Sequence, residues 1–224
     1  MPKLRLAPSI LTADFARLGE GIASVAPFVD WFHLDVMDGH YVDNLTFGPS
    51  TVEAVRRSCD LPLHVHLRIT DPQKYAPEFA EAGATRISFH PEVTGDAGEV
   101  IEFVTALGVG AGLAVHPDRG LDAVAEHLDS LDVVLVMTVR PGFGGQSFLD
   151  EVLPKISEAR KLVDERSARA EVEVDGGVNL STVDRAVSAG GEILVTGSAV
   201  FDGVDPAAAA QRLRRRLEEL QGPG

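Results

Sequence analysis

The chain has 224 residues, 45% of them hydrophobic and 24% charged, with 22 glycines spread along it, which fits one large or two small globular domains and no disordered tract. Its 34 acidic and 20 basic residues leave a net charge of −14, which argues against a nucleic-acid or anionic-membrane surface, so an anionic ligand has to be held by local geometry. The single Cys59 rules out an internal disulfide framework or a multi-cysteine metal cluster and suits a reducing compartment. No apolar run nears the roughly 20 residues of a membrane span, and Met1–Leu6 lacks a signal peptide's apolar stretch, so a cytoplasmic location is expected.

Short β-branched runs alternate with amphipathic stretches along the chain. Strands are expected at Leu4–Ser9, Trp31–Met37, Leu63–Arg68, Arg86–Phe89, Gly110–Val115, Val133–Thr138, Glu171–Val174 and Ile193–Thr196. Helical windows lie between them at Asp14–Val25, Pro49–Arg57, Pro72–Ala82, Leu121–Ser130, Leu153–Arg166 and Ser181–Ala189, with Pro206–Leu220 closing the chain. Pro, Asp or Ser opens these windows and Gly follows several, as capping requires. Eight βα units with no linker or break in composition predict one (β/α)8 TIM barrel over residues 1–224, with a doubly wound open sheet as the other topology. Residues 221–224 read as a flexible tail. In the last helical window Leu213, Leu217 and Leu220 recur at helical spacing, so Arg212, Arg214, Arg215 and Arg216 are expected on its solvated face, with a partner-binding patch as the other reading.

In such a barrel, residues that end strands face the active mouth. These are Ser9; His33, Asp35 and Met37; His64, His66 and Arg68; His90; His116; Met137 and Arg140; Asp175; and Gly197 with Ser198. Period-two alternation puts His33, Asp35 and Met37 on one face of the second strand, and His64, His66 and Arg68 on one face of the third. The seventh strand aligns three acids, Glu171, Glu173 and Asp175. If the strands are parallel and the barrel closes, His33, Asp35, His66 and Asp175 converge. Two imidazoles and two carboxylates suit Zn²⁺, Fe²⁺, Mn²⁺ or Co²⁺. A lone strand-end His is more often a hydrogen-bonded structural residue. Several ionisable groups pointing one way need a partner, and a cation supplies one.

A second signal is the run of glycine turns after the last three strands, Gly142-Phe143-Gly144-Gly145, Gly176-Gly177 and Gly197-Ser198. Glycine lets backbone amides approach a ligand, and barrels bind phosphate in this region, so a phosphorylated substrate is expected. Lys3, Lys74, Lys155 and Lys161 all lie away from strand ends, which disfavours a Schiff-base aldolase, and Cys59 has no base beside it in sequence.

At these residues the sequence resembles the ribulose-phosphate 3-epimerases. The matching segments are Ala7-Pro8-Ser9-Ile10-Leu11, His33 to His40, Asn44 to Pro49, His66-Leu67, Pro141 to Gln146, Glu173 to Gly177, and Gly197-Ser198. The resemblance implies a barrel that inverts C3 of a phosphorylated ketose, interconverting D-ribulose 5-phosphate and D-xylulose 5-phosphate in the pentose phosphate pathway. It implies His33, Asp35, His66 and Asp175 as ligands of one divalent metal ion per subunit, Zn²⁺ first, and Asp35 and Asp175 as the proton-transfer pair. Met37 and Met137 become walls, Ser9 a substrate contact, and the glycine turns with Ser198 a phosphate cradle. Self-association into a homo-oligomer is implied as well.

The departures from the family pattern cluster here. Arg68 stands where a methionine is usual, His64 where Asp is usual, Arg140 where Asn is common, and Asp43 where Pro is usual. An arginine can take an anion through two parallel hydrogen bonds. Arg68, His64 and Arg140 are therefore candidate specificity residues for another ketose phosphate, such as allulose 6-phosphate or a heptulose phosphate. The alternative is a surface arginine pair neutralised by Asp38, Asp43 or Asp118. A phosphosugar decarboxylase or aldolase and a non-catalytic sugar-phosphate-binding barrel are the remaining readings.

Overall fold

The computed structural model describes residues 3–201 and 203–222. Eight strands, β1 (Arg5–Pro8), β2 (Phe32–Met37), β3 (Leu63–Arg68), β4 (Arg86–Phe89), β5 (Gly110–Val115), β6 (Val133–Met137), β7 (Glu171–Asp175) and β8 (Ile193–Thr196), form one all-parallel sheet ordered β1-β8-β7-β6-β5-β4-β3-β2. The two end strands meet at a single bridge, Ser9 to His33, and Leu6 O accepts the amides of Asp30 (2.9 Å) and Trp31 (3.4 Å). The sheet is thus a nearly closed barrel, and the open-sheet topology is excluded.

The crossovers are helices: α1 (Leu18–Val25), α2 (Pro49–Ser58), α3 (Pro72–Glu81), α4 (Ala97–Ala106), α5 (Asp122–His127), α6 (Leu153–Arg166), α7 (Val183–Ser188), the short α8 (Ser198–Phe201) and α9 (Pro206–Gln221). Local chemistry starts them. Pro occupies the first turn of α2, α3, α6 and α9, where its missing N–H costs nothing, and Asp71, Asp96 and Asp205 cap the first amides of α3, α4 and α9.

Element boundaries differ from the sequence expectation in small ways. Asp14 caps a 3₁₀ turn, Phe15–Arg17, before α1 begins, and Leu128–Ser130 is a 3₁₀ turn that ends the α5 window. Asp175 belongs to β7, because Thr138 N reaches the Asp175 carbonyl at 2.8 Å and extends the pairing one residue past Val174. Helix α4 is absent from the sequence windows, since its first turn, Ala97-Gly98-Glu99, contains a glycine and one apolar residue. Gln221 lies in α9, so the expected tail does not begin there, and residues 223–224 are outside the described residues.

Alternation along each strand sorts the core into two. One set, including Leu6, Leu34, Val36, Val65, Leu67, Ile87, Phe89, Leu113, Val134 and Val174, faces the helices and forms the main apolar core with Ile22, Val52, Phe79, Ile101 and Leu217. The other set fills the barrel. Ala114, Val133, Leu135, Met137 and Val139 form one interior apolar cluster, and Ala7, Trp31, Ile193 and Val195 another. The rest of the interior is polar, with His33, Asp35, His64, His66, Arg68, Ser88, His90, Glu173 and Asp175 all buried. A barrel normally fills this space with branched apolar side chains. Here charge pairing must replace dispersion as the interior's cohesion.

Candidate active site

The three acids of β7 rise through the barrel at three levels. Glu171, at the base, pairs with Arg5 and with Arg86 Nη2 (2.9 Å), whose guanidinium lies 4.1 Å from the Trp31 ring centroid. Glu173, in the middle, takes His64 Nδ1 at 2.8 Å, and His64 Nε2 lies 2.7 Å from Ser88 Oγ. Gly112 on β5 leaves the space Ser88 occupies, since a Cβ at that position would overlap its hydroxyl. Glu173 also sits 2.8 Å from His33 Nδ1, aimed too poorly for a hydrogen bond, so that contact is electrostatic. Asp175, at the top, reaches the mouth.

Strand register delivers the other groups. Parallel pairing sets Asp35 beside His66 and Met37 beside Arg68 on β2 and β3, and Met137 beside Asp175 on β6 and β7. One donor atom from each of His33, Asp35, His66 and Asp175 falls within 4.8 Å of the others. The separations from His33 Nε2 are 3.2 Å to Asp35 Oδ1 and 4.0 Å to Asp175 Oδ2; from His66 Nδ1 they are 3.3 and 3.7 Å to the same oxygens. Tetrahedral ligands about 2.1 Å from an ion stand about 3.4 Å apart, so the donor set has the spacing and chemistry of a divalent-cation site. A second group, His33, His64 and Glu173, also converges, but Ser88 already engages His64.

The hydrogen-bond network assigns the tautomer of His66. Arg68 Nε donates to His66 Nδ1 at 3.3 Å, so His66 Nε2 carries the proton toward His90 Nε2, 3.0 Å away. His90 Nδ1 then faces Glu92 Oε1 at 3.5 Å, which also accepts from Tyr41 Oη at 2.8 Å. The lone pair of His66 thereby points at the convergence of carboxylates, the orientation a metal ligand needs. Burial pushes the His90 imidazole down to about 3 and holds it neutral. Burial also opposes ionisation of Asp35, but the Arg68 charge and then that of His33 outweigh it and keep the carboxyl well below the usual range. His33 moves the other way: burial lowers it, and the Asp35 and Glu173 charges more than compensate, leaving it well above an ordinary imidazole.

Above the carboxylates lies a pocket of about 250 Å³ lined by Ser9, Asp35, Arg68, Phe143, Gly144, Gly145, Asp175, Gly176, Gly177, Gly197 and Ser198. The three glycine turns thus meet the two acids in one cavity. Gly177 shows why: its φ is +65°, and a Cβ there would lie 2.5 Å from Phe148 N. Gly142 stands outside this lining, its carbonyl accepting from Asn44 Nδ2 at 2.7 Å. His33, His66, Met37 and Met137 are buried and are not among the residues that line it. Ser9 donates to Asp35 Oδ2 at 2.6 Å.

The candidate specificity residues separate. His64 is buried a layer below the pocket against Glu173. Arg140 is on the rim, two-thirds exposed, and its guanidinium is held by Asp118 at 2.8 and 3.4 Å. Arg68 is turned inward and only 3% exposed, with Nη2 2.8 Å from Asp35 Oδ1 and 2.6 Å from Asp175 Oδ2. A surface arginine pair therefore describes Arg140 and not Arg68. The residues not anticipated are Glu173, which backs both His33 and His64, and Thr12, whose hydroxyl lines the pocket with no hydrogen-bond partner among the described residues. Glu173 was signalled by its place two residues before Asp175; Thr12 carried no signal.

A parallel barrel with paired acids and glycine turns at the C-terminal mouth of its strands is laid out as a barrel enzyme acting on a phosphorylated small molecule. A profile of the ribulose-phosphate 3 epimerase family matches residues 5–201. The chain is 46% identical over 211 residues to a ribulose-phosphate 3-epimerase of Mycobacterium leprae (strain TN), covering 94% of each chain. It is 46% identical over 213 residues to that of Bacillus subtilis (strain 168), covering 94% of this chain and 98% of the other. Among solved structures, a 3-hexulose-6-phosphate synthase superposes with a TM-score of 0.71 at 21% identity, over 95% of this chain and 99% of the other, a likeness of fold alone. The chain belongs to the ribulose-phosphate 3-epimerase family, a family of isomerases.

Proposed function

We propose that this chain inverts C3 of a ketose phosphate, interconverting D-ribulose 5-phosphate and D-xylulose 5-phosphate. The observation that carries this reading is the meeting of two carboxylates from distant strands, Asp35 and Asp175, on the floor of a pocket walled by three glycine turns. Inversion through a planar intermediate needs a proton acceptor on one face and a donor on the other. Asp35 and Asp175 take these roles, one removing the C3 proton and the other, protonated, returning it, with roles exchanged in the reverse direction. Ser9 holds Asp35 by its outer oxygen, leaving Oδ1 toward the centre. The glycine turns and Ser198 receive the phosphate through backbone amides, which suits a protein whose net charge repels anions. Met37 and Met137, buried beside Arg68 and Asp175 in the strand register, give the site a soft apolar backing.

His33, Asp35, His66 and Asp175 would hold one divalent ion, Zn²⁺ ahead of Fe²⁺, Mn²⁺ or Co²⁺ given two imidazoles and near-tetrahedral spacing. Such an ion supplies electrophilic polarisation of the substrate's oxygens, which makes the C3 proton removable near neutral pH. Glu173 behind His33, and His90 behind His66, keep the two imidazoles oriented. The same reading carries a cytoplasmic site of action and self-association. Among the described residues no helix is long and apolar enough to cross a membrane.

A different ketose phosphate is a second reading because a groove of about 690 Å³ also opens among the loops that follow the strands, lined by Tyr41, Asp43, Glu92, Asp118, Arg119 and Arg140. The two candidate specificity arginines are already engaged, Arg140 by Asp118 and Arg68 by the two acids. The expected order of kcat/KM is therefore ribulose 5-phosphate first, ahead of allulose 6-phosphate and sedoheptulose 7-phosphate. Solvent deuterium should enter C3 of the first. An absence of C3 exchange with all three would overturn the epimerase reading in favour of a binding barrel.

A further inference from the structure

The cation already among the four donors is a side chain. Arg68 Nη2 lies within hydrogen-bond distance of Asp35 Oδ1 and Asp175 Oδ2, and its Nε takes the lone pair of His66 Nδ1. These are three of the four atoms whose spacing fits an ion. Arg68 is 3% exposed and Asp35 and Asp175 are buried, so solvent screens these contacts little. The conflict is concrete at His66. Its Nδ1 has a single lone pair, which cannot accept from Arg68 Nε and ligate an ion at once, and the ion and the guanidinium would both stand among the same carboxylates. Two such cations about 4 Å apart repel by several kcal/mol even at the effective dielectric of a protein site.

We propose that Arg68 is a built-in competitor for the metal: its guanidinium and the divalent ion are alternative occupants of one site, so that the ion binds only as Arg68 withdraws. This rests on the reading that the four donors take a cation. With Arg68 in place the carboxylates are neutralised and the site keeps its shape, because the guanidinium holds β3 against β2 and β7 through the same oxygens the ion would bridge. Loading the ion means breaking those two hydrogen bonds and the one to His66. The cost of that step comes out of metal affinity, and the loaded fraction follows the supply of free ion over a range where a pre-vacated site would already be saturated.

The test compares the full-length protein with Arg68→Met, an unbranched neutral side chain that stops two atoms short of the guanidinium nitrogens, using Co²⁺ absorbance and Zn²⁺ competition against a chelator at fixed pH and ionic strength. Arg68→Met is expected to bind both ions at least about a hundredfold more tightly than the unmodified chain and to show a lower Tm when metal-free, with the deficit recovered on loading. Equal affinities in the two proteins would overturn the competition while leaving the metal site intact. Binding by neither would overturn the metal site as well. A measurement on the unmodified chain guards against misfolding of the variant: the Nε–H resonance of Arg68 should shift and lose exchange protection as Zn²⁺ is titrated to one equivalent. A resonance that stays fixed while Zn²⁺ binds stoichiometrically would also overturn the proposal.

Discussion

At the scale of single residues the two acids are not equivalent. Asp35 is fastened by Ser9 and lies within β2, which pairs with β3 along its whole length, while Asp175 ends its strand at the Gly176-Gly177 turn. Replacing either by Asn should lower kcat/KM for ribulose 5-phosphate by about 10² to 10⁴, the range for loss of a positioned acid or base. Ser9→Ala should act through Asp35, with a smaller loss in kcat, little change in KM, and a pH–rate profile whose acid limb moves. A Ser9→Ala profile superimposable on the unmodified one would show that Ser9 touches substrate instead. The acids themselves were legible from alternation along two strands. The inward turn of Arg68 was not, because a residue two places beyond His66 reads equally well as a rim cation; only the side chain's reach across the barrel to β7 decides it.

At the scale of elements, the loops after β2 and β3 are tied by one carboxylate. Asp38 accepts from the amides of His40 (2.9 Å), Tyr41 (2.9 Å) and Thr70 (2.8 Å) and from the Thr70 hydroxyl (2.9 Å). Partial burial opposes its ionisation, but the Thr70, Tyr41 and His40 amides prevail and hold it at about 2. A carboxyl depressed on folding stabilises the protein above its unfolded pKa, and that contribution fades as pH falls toward the folded value. Thermal unfolding of the unmodified chain should therefore lose stability between about pH 4 and 2 more steeply than Asp38→Asn does. Parallel slopes would show that the tie contributes nothing. The turn after β7 makes a different prediction. Gly177→Ala has to relieve both a left-handed backbone and the clash with Phe148, costing about 1–3 kcal/mol in denaturant unfolding and raising KM for the phosphorylated substrate.

Strand positions were readable to within a residue, and Leu63–Arg68, Arg86–Phe89 and Leu153–Arg166 appear as expected, whereas α1 starts four residues into its window and α5 ends three residues before its window does. Helix α4 is implied by eight βα units but its bounds are hard to read despite the Asp96 cap and the buried Val100, Ile101 and Val104, since Gly98 in its first turn obscures the period.

Over the whole molecule, the barrel carries its cohesion on the outside of the sheet and its chemistry on the inside. The helix-facing layer is apolar and continuous, so truncations there should behave as ordinary core cavities: Phe89→Ala is expected to cost about 3–5 kcal/mol by denaturant unfolding. The interior is different, because each buried charge there answers another across strands far apart in sequence. Glu173 is the clearest case. That it shares a face with Asp175 follows from period two, yet that it backs His33 and His64 depends on how β2, β3 and β7 stack around the barrel, which no single stretch of sequence encodes.

The join between β1 and β2 has a consequence of its own. Its bridging pair, Ser9 and His33, consists of the residue that steadies Asp35 and a member of the donor cluster. Transient parting of the barrel wall at that place therefore takes the carboxylate and imidazole cluster apart in the same motion. Whatever settles into the centre should act as a latch on the cylinder, slowing amide exchange at the backbone of residues 30–33 more than on the far wall, where β5 and β6 are paired along their length.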